Sequence, residues 1–149
     1  IASVSVEKDE KNRAKKNISK SQISGNSGIP IVEDKYSAAV KAYNIGDYNA
    51  SIEMLNESLK NHHPKDEIYY HMALCHEKLK SYDESIKYFD KVISDKQSRL
   101  TEDALWHKSR LLLIQNKKDQ ALKSLEKITD LKGLHSPKAQ HLIDSLKTK

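Results

Sequence analysis

The sequence predicts an all-α protein, a solenoid of stacked helical units. The segments that begin at Gly46, Lys80 and Asn116 are similar, and Tyr48 and Tyr82 hold the same place in the first two, 34 residues apart. Self-similarity at such a period is typical of repeat proteins, in which each unit buries its apolar face against its neighbours. Helix breakers are few, 4 Gly and 3 Pro among 149 residues, which favours helices along most of the chain.

Each unit divides into two amphipathic stretches, an A helix followed by a B helix. The A helices are predicted at about 31–45, 65–79 and 101–115, because none of these stretches contains Pro or Gly. The apolar residues of the three B helices recur at helical intervals: Ile52, Leu55 and Leu59; Ile86, Phe89 and Ile93; Leu122, Leu125 and Ile128.

The helix boundaries are indicated by turn-forming and capping residues. Short turns between A and B helices are expected at Gly46, Ser81 and Asn116. Pro64 suits the first turn of the second A helix. Thr101, which two acidic residues follow, is predicted to cap the third.

A seventh helix is predicted after the third unit. Gly133 ends the preceding helix, Ser136 is the expected N-cap, and Pro137 stands in the first turn. A finite solenoid needs its last apolar face covered, so this helix is interpreted as a C-terminal cap. Its apolar face consists of Ala139, Leu142, Ile143 and Leu146.

The chain divides into a leader and one helical domain. Residues 1–30 hold six cationic and three acidic residues and no aromatic residue, which predicts a disordered basic tether. The whole chain has a formal charge of +5, so the rest of it is nearly neutral and does not favour a nucleic-acid face. The domain spans 31–149, with repeats at about 32–65, 66–99 and 102–135 and the capping helix at about 137–147.

The units resemble the tetratricopeptide repeat, a helix-turn-helix motif of 34 residues. Small residues stand in pairs where an A and a B helix must approach closely: Ala39 with Ser51, Ala73 with Ser85, and Ser109 with Ala121. The resemblance implies a right-handed α-superhelix of three such repeats plus the capping helix. The second unit matches the signature positions best, with Tyr69, Met72, Ala73, His76, Ser85, Phe89 and Val92.

The same resemblance implies a scaffold that binds proteins or peptides in a concave groove lined by the A helices. Ligands of that family touch the second, fifth, ninth, twelfth and thirteenth positions of each repeat. An aromatic column, Tyr36, Tyr70 and Trp106, then stands beside an acidic column, Glu33, Glu67 and Asp103, that favours a partner with apolar and basic side chains. The positions hold Glu33, Tyr36, Val40, Tyr43 and Asn44; Glu67, Tyr70, Leu74, Glu77 and Lys78; Asp103, Trp106, Arg110, Leu113 and Ile114.

These groove positions also allow two interpretations other than the binding of a basic peptide. The aromatic residues would alternatively pack against neighbouring helices. The carboxylate-clamp members of the family, which hold acidic C-terminal tails, need Lys or Arg at the fifth position and Asn at the ninth. Tyr36, Tyr70 and Val40 do not fit that pattern, so capture of a chaperone tail is not predicted.

The sequence predicts a module that is not an enzyme and that holds no metal or cofactor. It contains no Ser/His/Asp pattern, paired-carboxylate signature or dinucleotide fingerprint. His71 and Cys75 lie one helical turn apart, a spacing that suits two metal ligands, but no third ligand is suitably spaced. Cys75 is instead expected in the core, and as the single cysteine it forms no intrachain disulfide.

Two rival functions remain open at this point. In the first, the apolar groove or the face of the cap would pair with a second copy of the chain. In the second, the basic leader would bind anionic lipid or nucleic acid weakly. A Lys- and Ser-rich tether before three repeats also resembles the soluble parts of some bacterial single-pass membrane proteins, which implies the periplasm rather than the cytoplasm. The first residue is Ile1 rather than Met, so any anchor or signal would lie upstream of it.

Overall fold

A computed structural model describes residues 33–149, and the leader predicted at 1–30 lies outside the described residues. In the described part, 75% of the residues are helical and none forms a strand. No helix there has the length and apolar character needed to cross a membrane. The helices are α1 (Lys35–Asn44), α2 (Tyr48–Ser58), α3 (Lys65–Lys78), α4 (Tyr82–Ser94), α5 (Thr101–Ile114), α6 (Lys118–Leu131) and α7 (Ser136–Lys147).

The helices pack in the order in which they occur along the chain. The most extensive contacts join α1 with α2, α3 with α4, and α5 with α6, which are the A/B pairs. The pairs contact one another through α2 with α3 and α4 with α5, and α7 packs on α6. This arrangement confirms the predicted all-α architecture of three helical pairs and a terminal capping helix.

The core consists of three clusters of buried residues, each shared by three consecutive helices. Because α3 and α5 each contribute to two clusters, the packing continues from one pair to the next. Cys75 is fully buried in the first cluster, as predicted. The clusters are Ala39, Leu55, Ile68, Met72 and Cys75; Ala73, Phe89, Val92, Ala104 and Leu111; Leu105, Leu125, Ile128, Ala139 and Ile143.

The small residues predicted at the A/B crossings are buried there. Ser51 Oγ donates a hydrogen bond of 2.8 Å to the carbonyl of Ala39, and Ser85 Oγ donates one of 2.7 Å to the carbonyl of Ala73. Both bonds join the B helix to the A helix of the same pair. Each hydroxyl therefore satisfies its own hydrogen-bonding needs while it allows a close approach of the two backbones.

The third crossing exchanges the two residue types. Ser109 lies on α5 and Ala121 on α6, and both are fully buried. Ser109 Oγ donates a 2.8 Å bond to the carbonyl of Trp106 in its own helix. The third pair thus keeps the small side chains without the bond between helices.

All three A helices end in the same hydrogen-bond pattern, at the turn that leads to the B helix. Gly46, Lys80 and Asn116 hold the left-handed position, with φ of 86°, 60° and 58°. In the first turn, the N–H of Gly46 donates to Tyr43 O at 3.0 Å and that of Asp47 to Ala42 O at 2.9 Å, and the other two turns repeat both bonds. This is the Schellman motif, in which a left-handed residue just after the helix satisfies its last carbonyls. The left-handed residue of the second turn is therefore Lys80, one residue before the Ser81 that the sequence indicated.

Two predicted helix starts differ in detail from the structure. Helix α1 begins at Lys35 because Asp34 caps it, accepting a 2.9 Å bond from the N–H of Ser37. Thr101 is the first residue of α5 but not its cap: its hydroxyl donates to Ser98 O at 3.1 Å, and the N-cap Leu100 has no side-chain bond to the helix. The Thr101 hydroxyl therefore stabilises the turn of the preceding loop rather than the start of α5.

Three further helix boundaries differ from the prediction by one residue. Pro64 is the N-cap of α3 rather than a residue of its first turn. Lys132, with φ of 53°, carries the left-handed conformation after α6 that was expected of Gly133. Ser136 is the first residue of α7, and its N-cap is His135, whose backbone N–H is held by the carboxylate of Glu102 at 2.6 Å. A contact with another helix thus decides where α7 begins.

Candidate functional site

The fifteen predicted groove positions lie on α1, α3 and α5 or just before α1, and none of them is buried. Such exposure is what a binding surface requires, since a core position would be closed to solvent. Glu33, Asn44, Lys78, Arg110 and Ile114 are exposed. Ten are partly exposed: Tyr36, Val40, Tyr43, Glu67, Tyr70, Leu74, Glu77, Asp103, Trp106 and Leu113.

Tyr36, the first aromatic residue of the column, is held by two histidines. Its ring stacks on that of His63, with centroids 3.6 Å apart and an interplanar angle of 22°. A hydrogen bond of 3.0 Å joins Tyr36 Oη to Nδ1 of His71. His63 Nε2 lies 2.8 Å from a carboxylate oxygen of Glu67, and since a carboxylate only accepts, the imidazole N–H donates.

Tyr70, the second aromatic residue, lies between the histidines of two A helices. The rings of His71 and His107 contact it edge to face, at centroid distances of 6.0 Å and 6.1 Å. His107 Nδ1 donates to Glu77 at 2.8 Å, which links α5 to α3. Burial, together with the negative charges of Asp103 and Glu77, raises the pKa of Tyr70 to about 12. Asp103 and Glu77 thus place negative charge near this hydroxyl.

Trp106, the third aromatic residue, stacks on a histidine that precedes the capping helix. The Trp106 and His135 ring centroids are 5.3 Å apart and the planes differ by 9°. His135 Nε2 donates a 2.6 Å bond to Asp103. One side of Trp106 also packs against the third core cluster. The indole is thus fixed in position while part of it remains accessible to solvent.

The three aromatic residues therefore share one environment, in which a histidine ring lies against each of them and bonds a carboxylate of the same face. We call Glu67 with His63, Glu77 with His107, and Asp103 with His135 the His–carboxylate pairs. All three carboxylates belong to the predicted groove, whereas none of the three histidines does. Glu33, the remaining member of the acidic column, instead forms an exposed ion pair of 2.6 Å with Lys41.

Sequence reasoning missed these histidines for different reasons. His71 and His107 occupy the same repeat position, and that recurrence was the available signal. His63 stands four residues before Glu67, a spacing that brings side chains together near a helix start. His135 gives no local signal, because its partner Asp103 is 32 residues away.

Comparison with known protein families identifies the middle helical pair. The family model of the tetratricopeptide repeat matches residues 66–94, which take in nearly all of α3 and all of α4. The chain contains a tetratricopeptide repeat. The search of curated proteins found no match. Tetratricopeptide repeats generally act as scaffolds for protein–protein interaction, and the family is typically not catalytic.

His71 and Cys75, which lie one helical turn apart, do not come together as metal ligands. Among residues 33–149, no group of three or more His, Cys, Asp and Glu side chains is arranged to hold a metal ion. His71 bonds to Tyr36, while Cys75 points into the core, where its Sγ donates to Ser51 Oγ at 3.4 Å. Burial raises the pKa of the Cys75 thiol, which keeps it protonated and unreactive.

Proposed function

We propose that the domain is a non-catalytic scaffold that binds a protein or peptide on the face formed by α1, α3 and α5. The observation that carries this proposal is the column of Tyr36, Tyr70 and Trp106. All three are partly exposed, and all three are fixed in place by ring contacts with histidines. Aromatic residues held in this way lose little conformational entropy on binding, so they make effective anchors.

The charges around the column favour a partner with basic side chains beside apolar ones. When a histidine is neutral, its His–carboxylate pair keeps a charge of −1. Burial, together with the negative charges of Glu67 and Asp66, raises the pKa of Tyr36 to about 12, and burial with Asp103 and Glu77 does the same for Tyr70. A Lys or Arg side chain would meet both the carboxylates and the aromatic rings there.

The test uses Trp106, the single tryptophan, as a reporter of binding. The probe is a nonapeptide made of three Gly-Leu-Arg units, and a peptide of three Gly-Leu-Glu units is its control. We expect Trp106 emission to shift with the basic peptide, with micromolar affinity of about −8 kcal/mol. The acidic peptide should bind at least about tenfold more weakly, because its charges repel the carboxylates.

Two substitutions test the role of the carboxylates. Glu77→Gln and Asp103→Asn remove a charge but keep an acceptor for the histidine, and each should weaken binding about two- to fivefold. Glu53→Gln is the matched control, since Glu53 is exposed on α2, a B helix. Equal affinity for the two peptides, or equal effects of all three substitutions, would remove the support for this partner chemistry. Sedimentation at two protein concentrations would show whether the face binds a second copy instead.

A further inference from the structure

The His–carboxylate pairs place three titratable groups directly on the proposed binding face. The bonds from His63, His107 and His135 to their carboxylates measure 2.8, 2.8 and 2.6 Å. Each imidazole also contacts an aromatic residue of the column. A change of charge on these rings therefore occurs where a partner would dock.

Protonation changes the charge of each pair without the need to break it. A neutral imidazole donates one N–H to the carboxylate, and the pair carries −1. A protonated imidazole donates the same N–H, and the pair carries no net charge. Histidine is the side chain whose ordinary titration falls between pH 5 and 8. Protonation of all three histidines would therefore remove three negative charges from the face while its hydrogen bonds persist.

We propose that these three histidines regulate the face by pH, so that it holds a cationic partner when they are neutral and releases it when they are protonated. This inference rests on the proposed function, because it concerns the partner of that same face. It adds that the histidines, and not the carboxylates alone, determine the affinity. Each protonated pair should weaken binding of a basic ligand about two- to fivefold, which gives roughly tenfold or more for the three.

Other charged and titratable groups act on the same histidines. Asp34, which precedes α1, and His71 of α3 both lie near His63. His107 of α5 meets Glu77 and Tyr70 of α3, and the apolar ring of Phe89 from α4 stacks on it at 5.3 Å.

His135 differs from the other two histidines in its second ring nitrogen. It meets Asp103 through Nε2, and its backbone N–H meets Glu102 of the same helix, α5. Its Nδ1 is buried and has no hydrogen-bond partner among residues 33–149, and an added proton would go to that nitrogen. His135 is therefore tested by itself as well as with the others.

The first experiment measures the charge of the face without any ligand. Quenching of Trp106 emission by cesium and by iodide is compared at pH 8 and pH 5.5. We expect cesium to quench less and iodide more at the lower pH, as His135 gains charge beside the indole. In His135→Gln, whose amide N–H replaces that of Nε2, this response should be lost. His141→Gln is the control, because His141 is exposed on α7 and belongs to none of the His–carboxylate pairs.

The second experiment measures the affinity for the peptide of three Gly-Leu-Arg units at the same two pH values. The parent should bind it at least about tenfold more weakly at pH 5.5. A triple variant, His63→Gln, His107→Asn and His135→Gln, should show less than about a twofold change. Asn is chosen at His107 because that ring bonds through Nδ1. Circular dichroism checks that each variant keeps the helicity of the parent.

The outcomes separate this inference from the function on which it rests. If the parent binds the peptide with equal affinity at both pH values, the regulation is wrong and the proposed function stands. The same conclusion follows if the triple variant keeps the full pH response. If the peptide does not bind at pH 8, the proposed partner chemistry fails and the regulation fails with it. A Trp106 quenching response that is identical in the parent and in His135→Gln also overturns the regulation.

Discussion

Replacing Lys80 by glycine should stabilise the domain by about 0.5 to 1 kcal/mol. Lys80 holds the left-handed position of the second A/B turn, with φ of 60°. Its Cβ makes this conformation unfavourable, whereas glycine adopts it freely. Lys80 is exposed and forms no ion pair with residues 33–149, so the substitution removes no ion pair from this part of the chain.

The magnitude follows from two opposing contributions. The left-handed conformation costs an ordinary residue roughly 1 to 2 kcal/mol relative to glycine. Glycine loses more backbone entropy on folding, and this loss cancels roughly 0.5 to 1 kcal/mol of the stabilisation. The hydrogen bonds of the turn, from Lys80 N to Glu77 O and from Ser81 N to His76 O, do not involve the side chain and remain. The difference should raise the melting temperature by about 2 to 5 °C for a domain of this size.

The two equivalent turns provide matched controls for the assay, which is thermal and urea unfolding followed by circular dichroism. Gly46→Ala should destabilise the domain by about 1 kcal/mol through φ alone, since no atom lies within 4 Å of a side chain added there. Asn116→Gly should have a smaller effect than Lys80→Gly, because Asn tolerates the left-handed region. A Lys80→Gly variant that melts below the parent, while Gly46→Ala melts with it, would refute the argument.

Three other predictions follow from the packing and the titration of the domain. Ala73→Leu should overpack the fully buried α3/α4 crossing and stretch the hydrogen bond from Ser85. The free energy of unfolding in urea should fall by about 1 to 3 kcal/mol. An unchanged urea midpoint would contradict the close packing of α3 against α4 at Ala73. Removal of residues 134–149 deletes α7 and exposes the third core cluster, so the shortened chain should aggregate in light scattering, and a stable monomer would show that α7 is not a cap. The pKa of Tyr70 is raised to about 12, above the ordinary value near 10. Between pH 10 and 12 the native state therefore keeps a proton that the unfolded chain loses. The stability of the domain falls as the pH rises through this window. Tyr70→Phe should reduce that loss by up to about 1 kcal/mol after allowance for solvent screening, as melting at pH 9 and pH 11 would show; an equal loss in both proteins would argue against the shift.

The parts of the fold that the sequence predicted are those set by local backbone and packing requirements. A Schellman turn needs a left-handed residue, and Gly46 and Asn116 are residue types that supply it. A close helix crossing needs small side chains, and the pairs at the three crossings are all small. These constraints act within a few residues or at one contact, so a pattern along the chain reveals them.

The helix starts that the sequence mispredicted depend on tertiary contacts instead. Ser98 Oγ donates a 2.7 Å bond to Asp66 of α3, which fixes the loop in which Thr101 makes its own turn. Glu102 accepts hydrogen bonds from the N–H groups of both Leu134 and His135, and a side chain at Gly133 would overlap its carboxylate. Capping preferences describe an isolated helix end, so they do not include contacts of this kind.

The candidate face shows the same division between what one repeat specifies and what the array specifies. Each aromatic residue of the column meets a histidine that lies beyond the helical pair to which the aromatic residue belongs: Tyr36 of α1 meets His63 before α3, Tyr70 of α3 meets His107 of α5, and Trp106 of α5 meets His135 before α7. No single helical pair contains both members of such a contact. The geometry of the face therefore depends on how successive helical pairs pack, and the pattern of one helical pair places the aromatic residues without their histidines. It follows that a change in the stacking of two units would alter the binding face as directly as a substitution on it.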